Sequence, residues 1–208
     1  SALDIEFAEE LGYRIKLLGV ARLTPSGLEQ RLHPAMVRKD APIARVDGVF
    51  NAVGVLADPV GLVMHEGRGA GAGPTASAVV ADLVDIARGI RLPTFGIPAT
   101  ELAPHKRAAI RAHEGGYYLR LTVFDRPGAF AAIANRMAEH GISLESIVQR
   151  RRVPHAGAPG HLEPAAPQPV ILITYETTES AVRAALDEIA ADGHIAAEPQ
   201  LIRIETLG

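Results

Sequence analysis

The chain has 208 residues, of which 48% are hydrophobic, so it is long enough for one large domain or two small ones with packed cores. With 21 Lys and Arg against 24 Asp and Glu, its net charge of −3 gives no basic bias of the kind that attracts nucleic acid. The lack of cysteine excludes disulfides, thiolate metal sites and a cysteine nucleophile, and no apolar run is long enough to span a membrane. We therefore expect a soluble cytoplasmic protein without a metal site.

Residues 1–89 predict a helix, several strands and a second helix. The opening helix carries one apolar stripe, formed by Leu3, Phe7, Ala8 and Leu11. Strand-like runs interrupted by turn residues follow: "RIKLLGVARL", "GLEQRLHPAMV", "GVFNAVGVL" and "GLVMHEG". The last of them leads straight into a glycine run, "GRGAGAG", and then into the helix "PTASAVVADLVDIA". Because a helical pattern begins at the first residues, we expect the chain to be part of a longer protein.

A linker and a second region follow. Residues 90–116 contain three prolines and little apolar periodicity, which is typical of a linker. From Tyr117 onward the pattern predicts strand, helix, strand, strand, helix, strand: "YYLRLTVFD", "RPGAFAAIANRMAEHG", "ISLESIVQRR", "PVILITYET", "TESAVRAALDEIAADG" and "AAEPQLIRIE". This order predicts a ferredoxin-like βαββαβ unit, a four-stranded antiparallel sheet with both helices on one face. The whole chain is therefore expected to be α+β.

The segment "VPHAGAPGHLEPAAPQ" has no period and predicts a long loop. Its His155 and His161 have no carboxylate partner at a convincing spacing, so surface histidines are a better interpretation than metal ligands.

The stretch "LTVFDRPGAFAAIANRMAEHGISLESIVQ" resembles the ACT domain, a small-molecule-sensing module of amino-acid metabolic enzymes, and the resemblance covers Tyr117 to Glu205. Asp125 ends a strand, Gly128 lets backbone approach a ligand, and free N–H groups at the helix start can receive a carboxylate. The resemblance implies an amino-acid effector at a site formed by Asp125, Pro127, Gly128, Ala129, Ile142 and Ser143. The alternative is that "DRPG" is only a strand-to-helix turn.

The first region is similar to the later part of the catalytic and dimerisation domain of homoserine dehydrogenase, and "GRGAGAGPTASAVVADL" is the most specific piece of that similarity. The resemblance implies a mixed sheet with helices, and a family that interconverts L-homoserine and L-aspartate 4-semialdehyde with NAD or NADP on the route to threonine, methionine and isoleucine. The nucleotide-binding half and the catalytic lysines would lie upstream, so we expect no catalytic residue in this chain and no activity of the chain alone. Threonine is the effector that the family suggests.

The glycine run nominally fits the dinucleotide fingerprint G-x-G-x-x-A at Gly67, Gly69 and Ala72. Asp82 and Asp85 fall inside the following helix rather than at the end of a second strand, which makes a Rossmann turn a poor interpretation. The resemblance instead implies that the run approaches the cofactor, with Gly69, Ala70, Gly71 and Thr75 as the candidate cofactor-binding residues. A tight turn feeding a buried helix explains the glycines almost as well.

The remaining candidates are interpreted as structural. Lys16 stands in a strand-like run, and the histidines His33, His65, His105 and His113 have no orienting partner nearby in sequence. Strand-rich segments with exposed edges favour a homo-oligomer. A non-catalytic protein that binds an amino acid or drives oligomerisation is the alternative to the enzyme.

Overall fold

The structure, a computed structural model, describes residues 1–108, 114–149 and 167–206. The helices are α1 (Ala2–Glu10), α2 (Ala72–Ala87), α3 (Ala129–Glu139) and α4 (Glu179–Ala191), with short 3-10 helices at Pro42–Arg45 and Ala99–Glu101. The strands are β1 (Tyr13–Thr24), β2 (Gly27–Arg38), β3 (Phe50–Ala57), β4 (Gly61–Arg68), β5 (Glu114–Val123), β6 (Leu144–Gln149), β7 (Gln168–Thr174), β8 (Thr177–Thr178) and β9 (Gln200–Ile204). The predicted loop histidines His155 and His161, and also His113, lie outside the described residues.

One mixed sheet joins both regions of the chain. Its strand order is β1-β2-β9-β5-β7-β6, with β8 paired to β5. Strands β5, β6, β7 and β9 form antiparallel pairs, and α3 and α4 contribute to a single core on one face of them, which confirms the predicted βαββαβ unit. Strand β2 joins this unit in parallel beside β9, through the pairs Ala35–Arg203 and Met36–Ile204. The α+β class and the mixed sheet are therefore confirmed.

Several element boundaries differ from the sequence prediction, among them the starts of β5, β6 and β9, and β9 begins only at Gln200. Strand β5 begins at Glu114, three residues before the predicted start, because Glu114 and Gly115 pair with β8. Strand β6 begins at Leu144, so Ile142 and Ser143 precede it. The Ile142 amide instead donates to the Met137 carbonyl at 2.9 Å, which closes the end of α3.

The helix side of the βαββαβ unit is a continuous apolar core. Helix α4 begins at Glu179, where the Thr178 hydroxyl accepts from the Ala181 amide and caps the first turn. Its inward positions repeat every three or four residues and pack against α3 and the strands. The helical periodicity of this segment predicts that Ala181, Val182, Ala185, Leu186 and Ile189 face inward, and all of them except Ala181 are buried, together with Glu179, while Ala181 is partly buried against the same core.

Helix α1 covers the other face of the same sheet. Phe7 and Ala8 are fully buried, and the predicted stripe residues Leu3 and Leu11 pack beside them. The sheet residues that they cover are Tyr118, Ile171, Ile173, Ile202 and Ile204. Both faces of the βαββαβ sheet are therefore buried within this chain.

Strands β1 and β2 form a long antiparallel ribbon, referred to below as the ribbon, which pairs from Tyr13–Arg38 to Thr24–Gly27. Beyond it, β3 and β4 form a separate hairpin that leads into α2. Residues 45–108 contain no buried residue, although many of them are apolar. This segment therefore contributes nothing to the cores described above.

Candidate functional sites

The glycine run lies at the junction of β4 and α2, in a conformation that needs glycine. Gly71 is the N-cap of α2 with φ +117°, a region that residues with a side chain rarely adopt. A Cβ on Gly69 would collide with the side-chain amide of Asn51. Gly71 therefore has a backbone reason to be glycine, whereas a side chain at position 69 would require only that the Asn51 side chain move, and both glycines leave backbone exposed on the surface of the loop.

The strand before the glycine run rules out a Rossmann first turn. Strand β4 is the second strand of an antiparallel hairpin, whereas the dinucleotide fingerprint requires the first strand of a parallel βαβ unit. Asp82 and Asp85 lie within α2, as the sequence predicted, and so neither is at the end of a second strand. The phosphate-cradle interpretation is wrong.

The four candidate cofactor residues lie together at the exposed start of α2. Gly69, Ala70, Gly71 and Thr75 are all exposed, and the Thr75 amide donates to the Gly71 carbonyl at 3.1 Å. Helix α2 has no side-chain cap and no buried residue. Among the described residues, therefore, nothing buries the helix that follows the glycines.

The candidate effector residues follow the strand β5. Gly128 is the N-cap of α3 with φ +87°, and no side chain caps this helix. The Ala129 amide donates to the Arg126 carbonyl at 3.2 Å, which leaves the N–H groups of Phe130 and Ala131 for a ligand. Asp125 and Pro127 are exposed beside it. The Arg126 guanidinium lies 4.9 Å from the centre of the Phe124 ring.

The other three members of the effector set have different positions. Ala129 and Ile142 are buried in the helix-side core, so their side chains do not line an open site. Ser143 is exposed, and its carbonyl accepts from the Tyr175 amide at 3.0 Å. The geometry thus offers Asp125, the Gly128 backbone and Ser143 as surface groups.

Lys16 and His33 both have structural partners. Lys16 Nζ donates to the Val46 carbonyl at 2.6 Å and to Asp47 Oδ1 at 2.7 Å. The hydrogen bond to Asp47 is the main cause of the lowered pKa of that carboxyl. His33 Nε2 lies 3.1 Å from Arg31 Nε. Each is locally bonded, as interpreted from the sequence, and His65 and His105 are exposed.

A buried carboxylate was missed at the sequence level. Asp4 is 1% exposed, and it accepts from Arg120 Nε at 2.6 Å and from the Tyr118 hydroxyl at 3.0 Å. Burial opposes its ionisation, but the hydrogen bonds from Arg120, Ser1 and Tyr118 outweigh that effect, so the pKa of Asp4 lies below its ordinary value. Asp4 precedes Phe7 and Ala8 by three and four residues, and this spacing is the signal that places it on the buried stripe.

A shallow groove of about 530 Å³ lies between α4 and residues 195–201. It is lined by Arg183, Asp187, Glu198 and several apolar side chains, and none of them belongs to either candidate site. In residues 1–108, 114–149 and 167–206, no three His, Asp or Glu side chains are grouped to hold a metal ion. No helix in that part of the chain is both long and apolar enough to cross a bilayer.

Comparison with known proteins covers both regions. Residues 1–84 match the family Homoserine dehydrogenase, and residues 117–192 match the ACT domain. The homoserine dehydrogenase of Pseudomonas aeruginosa is 39% identical over 213 residues, which covers 100% of this chain and 47% of that protein. The homoserine dehydrogenase of Neisseria gonorrhoeae is 38% identical, covering 98% of this chain and 46% of that protein.

A solved structure gives the same result in three dimensions. The homoserine dehydrogenase of Thiobacillus denitrificans superposes with a TM-score of 0.83 at 40% identity, over 100% of this chain and 46% of that one. This chain spans about half the length of the relatives that it matches. The chain belongs to the homoserine dehydrogenase family, with a homoserine dehydrogenase segment at residues 1–84 and an ACT domain at residues 117–192.

Proposed function

We propose that this chain supplies the later part of a homoserine dehydrogenase, in which L-homoserine and L-aspartate 4-semialdehyde are interconverted with NAD or NADP. The observation that carries the proposal is the exposed glycine run at the start of α2, next to an apolar surface that no described residue of the chain covers. The similarity to homoserine dehydrogenases extends over the whole chain, which favours the enzyme over a stand-alone regulatory protein.

The uncovered surface supports a docking role for α2. Five apolar residues of this helix are between 38% and 72% exposed: Val79, Val80, Leu83, Val84 and Ile86. Apolar surface of this extent marks a protein interface. We propose that it packs against the nucleotide-binding part that the family resemblance implies.

The glycine run would then contribute backbone to the cofactor site. Gly69 and Gly71 leave no side chain between the loop and a bound ring, and the hydroxyl of Thr75 stands in the first turn of α2. A nicotinamide bound there would supply the hydride chemistry. The chain itself would orient the ring and exclude water from one side of it, since no residue here is assigned a proton-transfer role.

The experiment measures NADPH oxidation with L-aspartate 4-semialdehyde. We expect no turnover from this chain alone, and turnover when it is mixed with the remaining part of the Pseudomonas aeruginosa homologue, expressed separately. Leu83→Glu places a charge in the proposed interface and should abolish turnover by the mixture, while Asp85→Asn on the polar side of α2 should leave it unchanged. Turnover by the chain alone would contradict the assignment of the catalytic groups to another segment.

We propose further that the ACT domain binds a small amino acid at the loop formed by Asp125, Gly128 and Ser143. The open N-terminus of α3 suits the ligand carboxylate, and the Asp125 carboxylate suits its ammonium group. The family resemblance suggests threonine. Binding between two copies of the chain is consistent with the expected homo-oligomer.

Calorimetric titration with threonine, methionine and isoleucine tests this site. We expect one of them to bind, and Asp125→Asn to weaken its binding by roughly tenfold or more, because a charged hydrogen bond is lost. Asp187→Asn is the matched control, since Asp187 lines the separate groove beside α4. No heat with any of the three would favour a purely structural turn, and a loss of binding confined to Asp187→Asn would move the site to the groove.

A further inference from the structure

Strand β9 is shared by the ACT domain and the homoserine dehydrogenase segment. On one side it pairs with β5 over residues 200–204, and on the other it contacts β2 through only two residue pairs. The Glu205 amide adds one hydrogen bond to the Met36 carbonyl, at 2.9 Å. The backbone contact between the ribbon and the ACT domain is therefore short, and side chains must complete it.

Arg203 and Glu205, two positions apart at the end of β9, form ion pairs with different elements of the chain. Arg203 Nε donates to Glu179 Oε2 at 2.9 Å, and Glu179 is the first residue of α4. Glu205 accepts from Arg31 of β2, with both of its oxygens 2.8 Å from Arg31 Nη2. One end of β9 is thus tied by charge to a helix of the ACT domain and to the ribbon.

These ion pairs are nearly closed to solvent. The side chains of Arg31, Glu29 and Glu205 are 5%, 6% and 9% exposed, and Arg31 Nη1 lies 2.6 Å from Glu29 Oε1. Arg31 Nε also contacts His33 Nε2 at 3.1 Å. We call Glu29, Arg31, Glu179, Arg203 and Glu205 the junction cluster.

The Glu179–Arg203 pair and the Arg31–Glu205 pair both influence the buried hydroxyl of Tyr117. Tyr117 of β5 is fully buried, and its pKa is raised first by burial and then by the Glu179 carboxylate, with Glu205 acting in the same direction. Arg203 and Arg31 act on the same hydroxyl in the opposite direction. Tyr117 therefore lies within electrostatic range of both the Glu179 pair and the Glu205 pair.

Buried ion pairs of this kind are better suited to fixing an arrangement than to adding stability. Apolar residues of similar volume stabilise a protein as well or better, whereas removing one partner leaves an uncompensated charge. A bidentate Arg–carboxylate pair also has a narrow geometric tolerance. The junction cluster therefore favours one position of β2 against β9, because a shifted position would break the buried ion pairs.

The ribbon also holds both ends of the segment 45–108, which carries the glycine run. Arg14 and Lys16 of β1 hold Asp47, with Arg14 Nη1 3.0 Å from Asp47 Oδ2, and Asp47 lies three residues before the hairpin that ends in the glycine run. At the other end of the ribbon, the Leu28 amide donates to the Lys106 carbonyl at 2.7 Å. The whole segment 45–108 is thus attached at the ribbon.

We propose that the Arg31–Glu205 pair couples the ribbon to the ACT domain, so that a change in α4 or β9 displaces the ribbon and the attached glycine run together. Arg31 and Glu205 are positioning residues in this scheme and contact neither effector nor cofactor. A response of this coupling to an effector rests on the proposed effector function, whereas the coupling of the ribbon to the ACT domain is independent of it.

Hydrogen exchange of the full chain, without ligand, tests the coupling. We expect amides of β2 to exchange with the same free energy as those of β5 and β7 in the unaltered chain, as parts of one cooperative unit. In Arg31→Met, exchange in β2 should become faster on the order of a hundredfold while β5 and β7 keep their protection. Glu205→Gln, which preserves shape and removes the charge, should act in the same direction with a smaller effect.

Arg136→Met is the matched control, because Arg136 pairs with Asp192 between α3 and α4 inside the ACT domain. It should leave the exchange of β2 unchanged relative to β5. If β2 already exchanges separately in the unaltered chain, or follows β5 in both Arg31→Met and Glu205→Gln, the coupling proposal is overturned.

Threonine provides a second arm. Threonine should change the exchange of β2 in the unaltered chain, and in Arg31→Met it should still bind while the response of β2 is lost. Binding with an undiminished response in Arg31→Met would overturn the coupling. Absence of threonine binding would count against threonine as the effector, while the ligand-free exchange still decides the coupling.

Discussion

Replacing Phe7 with alanine is expected to lower the free energy of unfolding by about 3 to 5 kcal/mol. Phe7 is fully buried between α1 and the sheet face formed by Tyr118, Ile171 and Ile173. The substitution removes a large side chain from a site closed by strands on one side and a helix on the other, so the cavity cannot collapse easily. Urea unfolding followed by circular dichroism measures the loss.

Ile5→Ala provides the matched control, because Ile5 belongs to the same helix and is 57% exposed. Its expected effect is within about 0.5 kcal/mol, apart from a slight gain from the helix propensity of alanine. Equal losses in both variants would show that α1 contributes helix formation rather than burial of the sheet.

The second large effect is expected from Arg120→Met at neutral pH, with a loss of about 3 to 5 kcal/mol. The substitution leaves the Asp4 carboxylate at 1% exposure with the hydroxyls of Tyr118 and Ser1 and the Ser1 ammonium, 2.9 Å from Oδ2, as its remaining partners. The Ser1 ammonium is 49% exposed and therefore partly screened by solvent, so it does not replace the guanidinium that contacts both Asp4 oxygens. Urea unfolding at pH 7 is the measurement.

The pH dependence of this loss has a definite sign. The pKa of Asp4 in the folded chain lies below its ordinary value, so the pair stabilises the fold above the unfolded pKa of about 3.9 and loses that effect as the pH falls further. The difference between the unaltered chain and Arg120→Met should therefore shrink below about pH 4. A difference that is constant from pH 7 to pH 3 would assign the loss to packing of the arginine stem.

Arg38→Met is the matched control, because it removes an arginine from an ion pair that is exposed to solvent. Arg38 pairs with Asp40, and both side chains are about two-thirds exposed, at 66% and 64%. Solvent screens such a pair, so the expected loss is below about 1 kcal/mol. The contrast between Arg120 and Arg38 isolates the effect of burial on the same type of ion pair.

The elements of the fold were accessible to sequence reasoning because their signals are local. The stripe of α1, the inward face of α4 and the strand order of the βαββαβ unit all follow from periodicity. The position of Asp82 and Asp85 within a helix was likewise enough to argue against a Rossmann turn. The antiparallel pairing of β4 with β3 then gave the physical reason.

The partners of these elements were not accessible, because they are set by contacts between residues distant in sequence. Nothing in the pattern of α1 indicates that Phe7 packs on Ile171, and nothing in β2 indicates a parallel contact with β9. The effector set shows the same limit: the resemblance named Ala129 and Ile142, but folding buries both in the core. Arg31 and Glu205 bury each other although they lie 174 positions apart in the sequence.

The anchoring of residues 45–108 to the ribbon gives the chain the topology of a host with an insertion. The host combines α1 and the ribbon, which come first in the sequence, with the strands and helices of the ACT domain, which come last. Together they form one sheet and bury both of its faces. The insertion leaves after the buried Ala44 and returns at the tip of the ribbon, carrying the glycine run. The surface proposed to meet the cofactor can therefore adapt to whatever docks on it without disturbing the cores, while its attachment points still move with the ribbon.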